Sequence, residues 1–243
     1  MTTHASYSPS RLAFNFTRGA LMYVGPIWML VLAVVATITA IINAVGTVSD
    51  SILDFATMPP RYWMLGLGIV LIAMCFQPYI AVGFTRRALS ITLVITIPLI
   101  SIALALLIAS AYYAETLVYD AYGWEQSIEG AHLFASPDQF GLVFLESLLV
   151  YIAHFVAGWS IAILFFRMRW MFAVVCAIGV YCLAAVVELA VGAGWPGRVS
   201  GLIVGNEDVD LAIGLPVALI AIAVAVAVAW RVTSRAPLPN HHS

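Results

Sequence analysis

Residues 64–108 read MLGLGIVLIAMCFQPYIAVGFTRRALSITLVITIPLISIALALLI. Two apolar runs flank one short break, Gly83-Phe84-Thr85-Arg86-Arg87, which holds the only adjacent pair of cationic residues in the chain. As an α-helix rising about 1.5 Å per residue, each run is long enough to cross about 30 Å of hydrocarbon. The stretch therefore reads as two membrane spans joined by a tight basic turn. The side of the membrane on which that turn lies, and what it touches there, organise the rest of the reading.

The whole chain has the same character. Of its 243 residues 63% are hydrophobic and 9% charged, with a mean hydropathy of +1.04, whereas soluble domains carry about 25% charged residues. Apolar runs place six spans near Ile27–Val48, Tyr62–Val82, Leu89–Tyr112, Leu142–Phe165, Trp170–Val191 and Leu211–Trp230. The expected fold is an all-α polytopic membrane protein with a single transmembrane domain over residues 1–243. The first apolar run is too long for a cleaved signal peptide and lacks a small-residue cleavage motif.

All ten cationic residues are Arg; there is no Lys. A Walker-type phosphate loop and Schiff-base chemistry both require Lys, so neither is available. Arg11, Arg18, Arg86, Arg87, Arg167, Arg169, Arg231 and Arg235 fall at one end of the six spans. Asp50, Asp54, Glu115, Asp120, Glu125, Glu129, Asp138, Glu207, Asp208 and Asp210 fall at the other. The positive-inside rule assigns the arginine end, and both termini, to the cytoplasm.

Before the first span, Ser8-Pro9 forms a helix-start signal. Arg11, Asn15 and Arg18 then recur at helical spacing opposite Leu12, Phe16 and Ala20. This predicts a short amphipathic helix over 8–24 lying in the inner interface, ended by Gly25-Pro26. Two outer segments stand out. Residues 113–141 hold Leu117, Val118, Ala121 and Trp124 among acids and suit a surface helix. Residues 192–210 are Gly-rich with an apolar centre, suited to a plain loop or a re-entrant turn.

Three ionisable residues fall within spans: Glu146 and His154 on the fourth, Glu188 on the fifth. Such groups mark functional candidates. Glu146 and Glu188 lie about one turn from the outer surface and read either as acids of an outer vestibule or as members of a transport pathway. Ser147, Tyr151, His154 and Gly158 share one helix face. That face reads either as a polar packing stripe, with Gly158 allowing close approach, or as a pathway lining. No enzyme signature accompanies them. There is no HExxH, no CxxC, no GxSxG and no second intramembrane His for a haem. Cys75, Cys176 and Cys182 read as small apolar packing residues. No catalytic residue, metal, cofactor or nucleic-acid partner is expected.

Three stretches carry a family resemblance: GFTRRALSI at 83–91, ETLVYDAYGW at 115–124 and AGWSIAILFFRMRW at 157–170. With an amphipathic start and six spans, the chain resembles the compact six-helix ABC-2-like permeases of Gram-positive bacteria. The resemblance implies a cell-membrane permease subunit that hydrolyses no ATP itself. It would work with a cytoplasmic ABC ATPase and a second permease copy or related chain, exporting an amphipathic peptide, lipid or drug. It further implies that Gly83, Phe84, Thr85, Arg86 and Arg87, with Arg167, Arg169 and the helix bearing Arg11, Asn15 and Arg18, bear on the ATPase. The residues themselves leave two other classes open: an ion- or proton-coupled carrier using Glu146, Tyr151, His154 and Glu188, and a non-transporting membrane scaffold.

Overall fold

The computed structural model describes residues 8–46, 48, 50–128, 132–194 and 210–235. Among them every regular element is a helix: α1 (Pro9–Val45), α2 (Ile52–Phe55), α3 (Met58–Ala81), α4 (Arg86–Tyr122), α5 (Phe140–Arg167), α6 (Trp170–Val191) and α7 (Leu211–Ser234). Six of these stretches are long and apolar enough to cross a membrane, α2 and α3 counting as one. In hydrocarbon an unpaired backbone group costs several kcal/mol, and helices satisfy their groups internally. Hence Pro78, Pro98 and Pro216 stand inside helices without ending them. Hydroxyls are absorbed in the same way. Ser90, Thr92 and Thr96 of α4 each donate to the carbonyl one turn back, at 2.8–3.0 Å.

The same preference corrects one expectation. The interfacial helix predicted over 8–24 does not end at Gly25-Pro26; α1 is continuous for 37 residues, about 55 Å. Pro26 removes a single intrahelical bond, whereas a break there would strand a whole turn of backbone polar groups. The predicted amphipathicity is present in its first turns: Leu12 and Ala20 are buried, Phe16 is half-buried, and Arg11, Asn15 and Arg18 are exposed. The surface helix expected within 113–141 is likewise the end of α4, which runs to Tyr122. It closes on Gly123 at φ 68, with Trp124 N–H on Tyr119 O at 2.9 Å. The question of a re-entrant turn in 192–210 falls mostly on residues outside those described.

α5 is the hub. It packs against α3, α4, α6 and α7 and is the most enclosed of the six. Its tightest neighbour is α3, where Gly158 faces the backbone of Leu65 and Ile69, and Gly68 faces the backbone of Phe155 and Trp159. The two glycines let the helix axes meet without intervening side chains, as the packing-stripe reading of Gly158 requires. At the next residue of α5, Trp159 Nε1 donates to Thr233 Oγ1 at 2.9 Å, joining α7. α1 lies at the side, mainly against α4. Its buried residues stop at Trp28.

Candidate functional site

Two regions carry the polar chemistry, one at each end of the bundle. At the arginine-bearing end, Gly83 takes φ +95 and turns the chain after α3. Thr85 then caps α4, its Oγ1 accepting the Ala88 N–H at 3.0 Å. The cap points the first turn of α4, with half-buried Arg86 and exposed Arg87, out of the bundle. Phe84 packs edge-on against Tyr79 at 5.4 Å, and Tyr79 edge-on against Phe16 of α1 at 5.7 Å. Thr92 Oγ1 reaches Pro9 O at 3.3 Å. Phe76 meets Phe166 at 5.6 Å, beside exposed Arg167 and Arg169. The start of α1, the Gly83–Arg87 turn and the Arg167–Arg169 turn are thus tied into one surface. Arg11, Arg18, Arg86, Arg87, Arg167 and Arg169 make no ion pair among the described residues.

At the other end the charges are buried and paired. Arg61, in the first turn of α3, is 5% exposed, and its Nη1 lies 2.8 Å from Glu188 Oε1 on α6. Its Nε and Nη2 donate to Thr57 O and Thr57 Oγ1 at 3.4 and 3.3 Å. Gly194, at φ +67, lies over this pair, and a Cβ there would overlap Arg61 Nη1. His154 Nδ1 is 2.9 Å from Val150 O, so Nδ1 carries the proton and Nε2 is left as an acceptor. That Nε2 has no hydrogen-bond partner and faces Glu188 Oε1 at 3.6 Å.

Next to this group, His132 bridges two carboxylates. Its Nδ1 is 2.9 Å from Glu146 Oε1 and its Nε2 is 3.4 Å from Asp54 Oδ1. Glu146 Oε2 also accepts the Leu133 N–H at 2.9 Å, and Tyr112 Oη donates to Asp54 at 3.2 Å. Burial opposes charge on His132, but the Glu146 and Asp54 carboxylates outweigh it and hold the imidazole pKa up to about 10. Glu115 anchors α2 from the overhang of α4, accepting from Ser51 Oγ at 2.6 Å and from Leu53 N–H at 3.0 Å. A cavity of about 20 Å³, walled by Arg61, Tyr112, Glu146 and Tyr151, lies between the two groups. That is about the room one water needs.

The predicted pathway residues Glu146, Tyr151, His154 and Glu188 are therefore brought to one neighbourhood, around Arg61 and His132. Neither acid is an open vestibule group; Glu146 is 6% exposed and Glu188 1%. Arg61, Asp54, Tyr112 and His132 were not foreseen there. The available signal was Arg61 itself, an arginine outside the set of eight at the opposite end of the spans, following Pro59-Pro60 at the mouth of an apolar run. The geometry clamps α2 and the 132–134 segment onto α3, α4, α5 and α6.

The linkage of His132 to folding has a definite sign. Its pKa rises on folding from 6.5 to about 10. Its stabilisation is complete below about pH 6.5 and is lost as pH rises through 10. Melting temperature in detergent should fall between pH 7 and 10, and His132→Gln should flatten that slope while lowering the melting temperature at pH 7. A His132→Gln protein with the same slope as the parent would remove His132 from the clamp.

Comparison with family models, with curated proteins and with solved structures finds no match for this chain. The six apolar helices define a multi-pass membrane protein.

Proposed function

We propose that this chain is the permease subunit of an ATP-driven ABC transporter, with its arginine-bearing end in the cytoplasm against a separate ATPase. One observation carries the reading: the three segments that the family resemblance assigns to coupling lie together as a single exposed surface. Aromatic contacts of Phe16, Tyr79 and Phe84 join the first two, and Phe76 against Phe166 ties in the Arg167–Arg169 turn. Unpaired arginines suit an acidic or polar groove on a partner, where the planar guanidinium makes paired hydrogen bonds. A push on the Gly83–Arg87 turn passes directly into α3 and α4, and from α3 into the hub helix through the Gly68–Gly158 contact. A second permease copy, or a related chain, completes the pathway. The cargo is amphipathic and export is the direction. Purification in mild detergent tests this: an ATPase subunit with a Walker loop should accompany the chain. Its absence under conditions that retain transport activity would contradict the proposal.

A second reading, a proton-coupled carrier, is favoured by His154 Nε2 and Glu188 Oε1, two acceptors 3.6 Å apart in a buried site with Arg61 alongside. A proton placed between them would turn repulsion into a hydrogen bond. Under this reading His154→Gln abolishes transport, and transport survives ATP depletion but collapses with the proton gradient. Under the permease reading His154→Gln leaves ATP-dependent transport within about threefold of the parent, as for a packing substitution of about 0.6 kcal/mol.

A further inference from the structure

α1 packs mainly against α4, and its fully buried residues end at Trp28. From Trp28 onward a groove of about 640 Å³ is lined by both helices. Its walls run from Trp28 to Asn43 on α1 and from Leu107 to Tyr122 on α4, each about 22 Å at helical rise. The end near Trp28 is apolar. The far end differs: it brings together Glu115, Tyr119, Tyr122 and Trp124. Tyr122 stacks on Trp124 with ring centres 4.7 Å apart, and Tyr119 meets Trp124 edge-on at 5.6 Å. Glu115 is held by the Ser51 hydroxyl, the Leu53 N–H and Gln126 Nε2, the last at 2.8 Å. None of these donors is charged, and no cation lies within ion-pair distance of Glu115 among the described residues.

We propose that this groove binds a single-tailed cationic amphiphile. Its tail lies between α1 and α4, and its ammonium head rests against Glu115 and the rings of Tyr122 and Trp124, with Tyr119 buried behind Trp124. The argument is charge complementarity at a fixed place. Three hydrogen bonds use most of the acceptor capacity of Glu115 but leave its charge unbalanced. A quaternary ammonium needs no hydrogen bond; it needs a negative charge and π faces within about 6 Å. The end of the groove offers both. An anionic head meets repulsion from Glu115, and a neutral head gains nothing from it, so the site discriminates against both. Binding does not depend on the ATPase reading; under that reading it gives the class of cargo.

The test is equilibrium binding of tritiated dodecyltrimethylammonium to the full chain in phosphatidylcholine nanodiscs, without ATP or partner, with empty discs subtracted. Saturable binding at one site per chain is expected. Dodecyl maltoside and dodecyl sulfate should compete about tenfold more weakly than unlabelled probe, or worse. Tyr122→Ala, at a ring 67% exposed, should keep the fold and weaken binding about threefold to tenfold. Ala114→Trp, which fills the exposed groove wall, should abolish it. Glu115→Gln should weaken binding about tenfold. Because Glu115 also anchors α2, that result counts only at an unchanged melting temperature; otherwise Tyr122→Ala and the competition decide. The proposal is overturned if nothing saturable exceeds empty discs, or if dodecyl maltoside competes as well as the probe. It is overturned equally if Tyr122→Ala binds as the parent does, which would leave the rings as a plain interfacial aromatic belt.

Discussion

Gly158→Val should prevent the bundle from forming a monodisperse, cooperatively melting species in detergent. A Cβ at 158 would overlap Leu65 O and lie 3.0 Å from Leu65 C and 3.1 Å from Ile69 N. Every one of these neighbours is backbone, so no rotamer change relieves the overlap; α3 and α5 must move apart. Gly68 meets the same limit from the opposite side, with Trp159 N at 2.9 Å from its built Cβ. Overpacking costs about 1–3 kcal/mol where side chains can yield, and here they cannot. Even Gly158→Ala should therefore cost about 3 kcal/mol, the upper part of that range. Gly179 is the control: it lies mid-helix in α6 with nothing within 4 Å of a built Cβ. Gly179→Ala should be neutral or slightly stabilising. Size-exclusion profiles and melting curves of the three variants decide the point, and a Gly158→Ala protein that melts with the parent would show that the two helices do not meet as described.

Removal of Arg61 should be the other large effect. Glu188 is 1% exposed and has its charge partner in Arg61 at 2.8 Å. Arg61→Ala leaves a carboxylate buried with a histidine acceptor beside it, and breaking such a pair costs about 3–5 kcal/mol. The pair as a whole is a different matter, because two charges must be desolvated to make it. Arg61→Met with Glu188→Leu should recover most of the loss. The comparison is thermal melting of Arg61→Ala, of Glu188→Leu alone and of the double variant in one detergent. If Arg61→Ala melts with the parent, the clamp at this end does not hold the bundle. If the double variant is no better than either single, the cost lies in shape rather than charge.

The helices were legible because lipid leaves a chain few choices: apolar runs of span length must be helices, and charged breaks must be their ends. The exposed face of Arg11, Asn15 and Arg18 followed from spacing alone, as did the close approach at Gly158. The pairing of Arg61 with Glu188 was not legible. The two lie 127 residues apart, on helices related only by tertiary packing, and no local pattern encodes such a contact. His132 was invisible for a related reason: it sits in an irregular segment whose position depends on the two carboxylates it joins. The continuity of α1 past Gly25-Pro26 was misjudged because turn preferences measured in water were applied where water is scarce. The overhang of α4 reads from sequence as a separate surface helix because acids follow the apolar run, while Glu115 and Tyr119 serve as anchors for α2 and for the chain at Asp50.

The two ends of the molecule differ in how they hold charge. The acid-bearing end is locked by buried ion pairs, while Arg86 and Arg87 at the other end make no ion pair among the described residues and, on the proposed function, meet a partner. The direct test of that division is the double variant Arg86→Ala, Arg87→Ala. Arg11, Arg18, Arg167, Arg169, Arg231 and Arg235 still mark the same side, so insertion and melting should be unchanged. An interfacial guanidinium pair lost from a hydrogen-bonded contact costs about 2–5 kcal/mol, enough to strip a partner during purification. The measurement is recovery of the ATPase on the affinity-purified chain, with the hydrolysis rate in nanodiscs. Loss of the ATPase by the double Ala protein, and partial loss by the double Lys protein, is the predicted result, since Lys keeps the charge but not the planar fork. Full recovery and full hydrolysis with both arginines removed would contradict it and reduce Gly83–Arg87 to a topology signal.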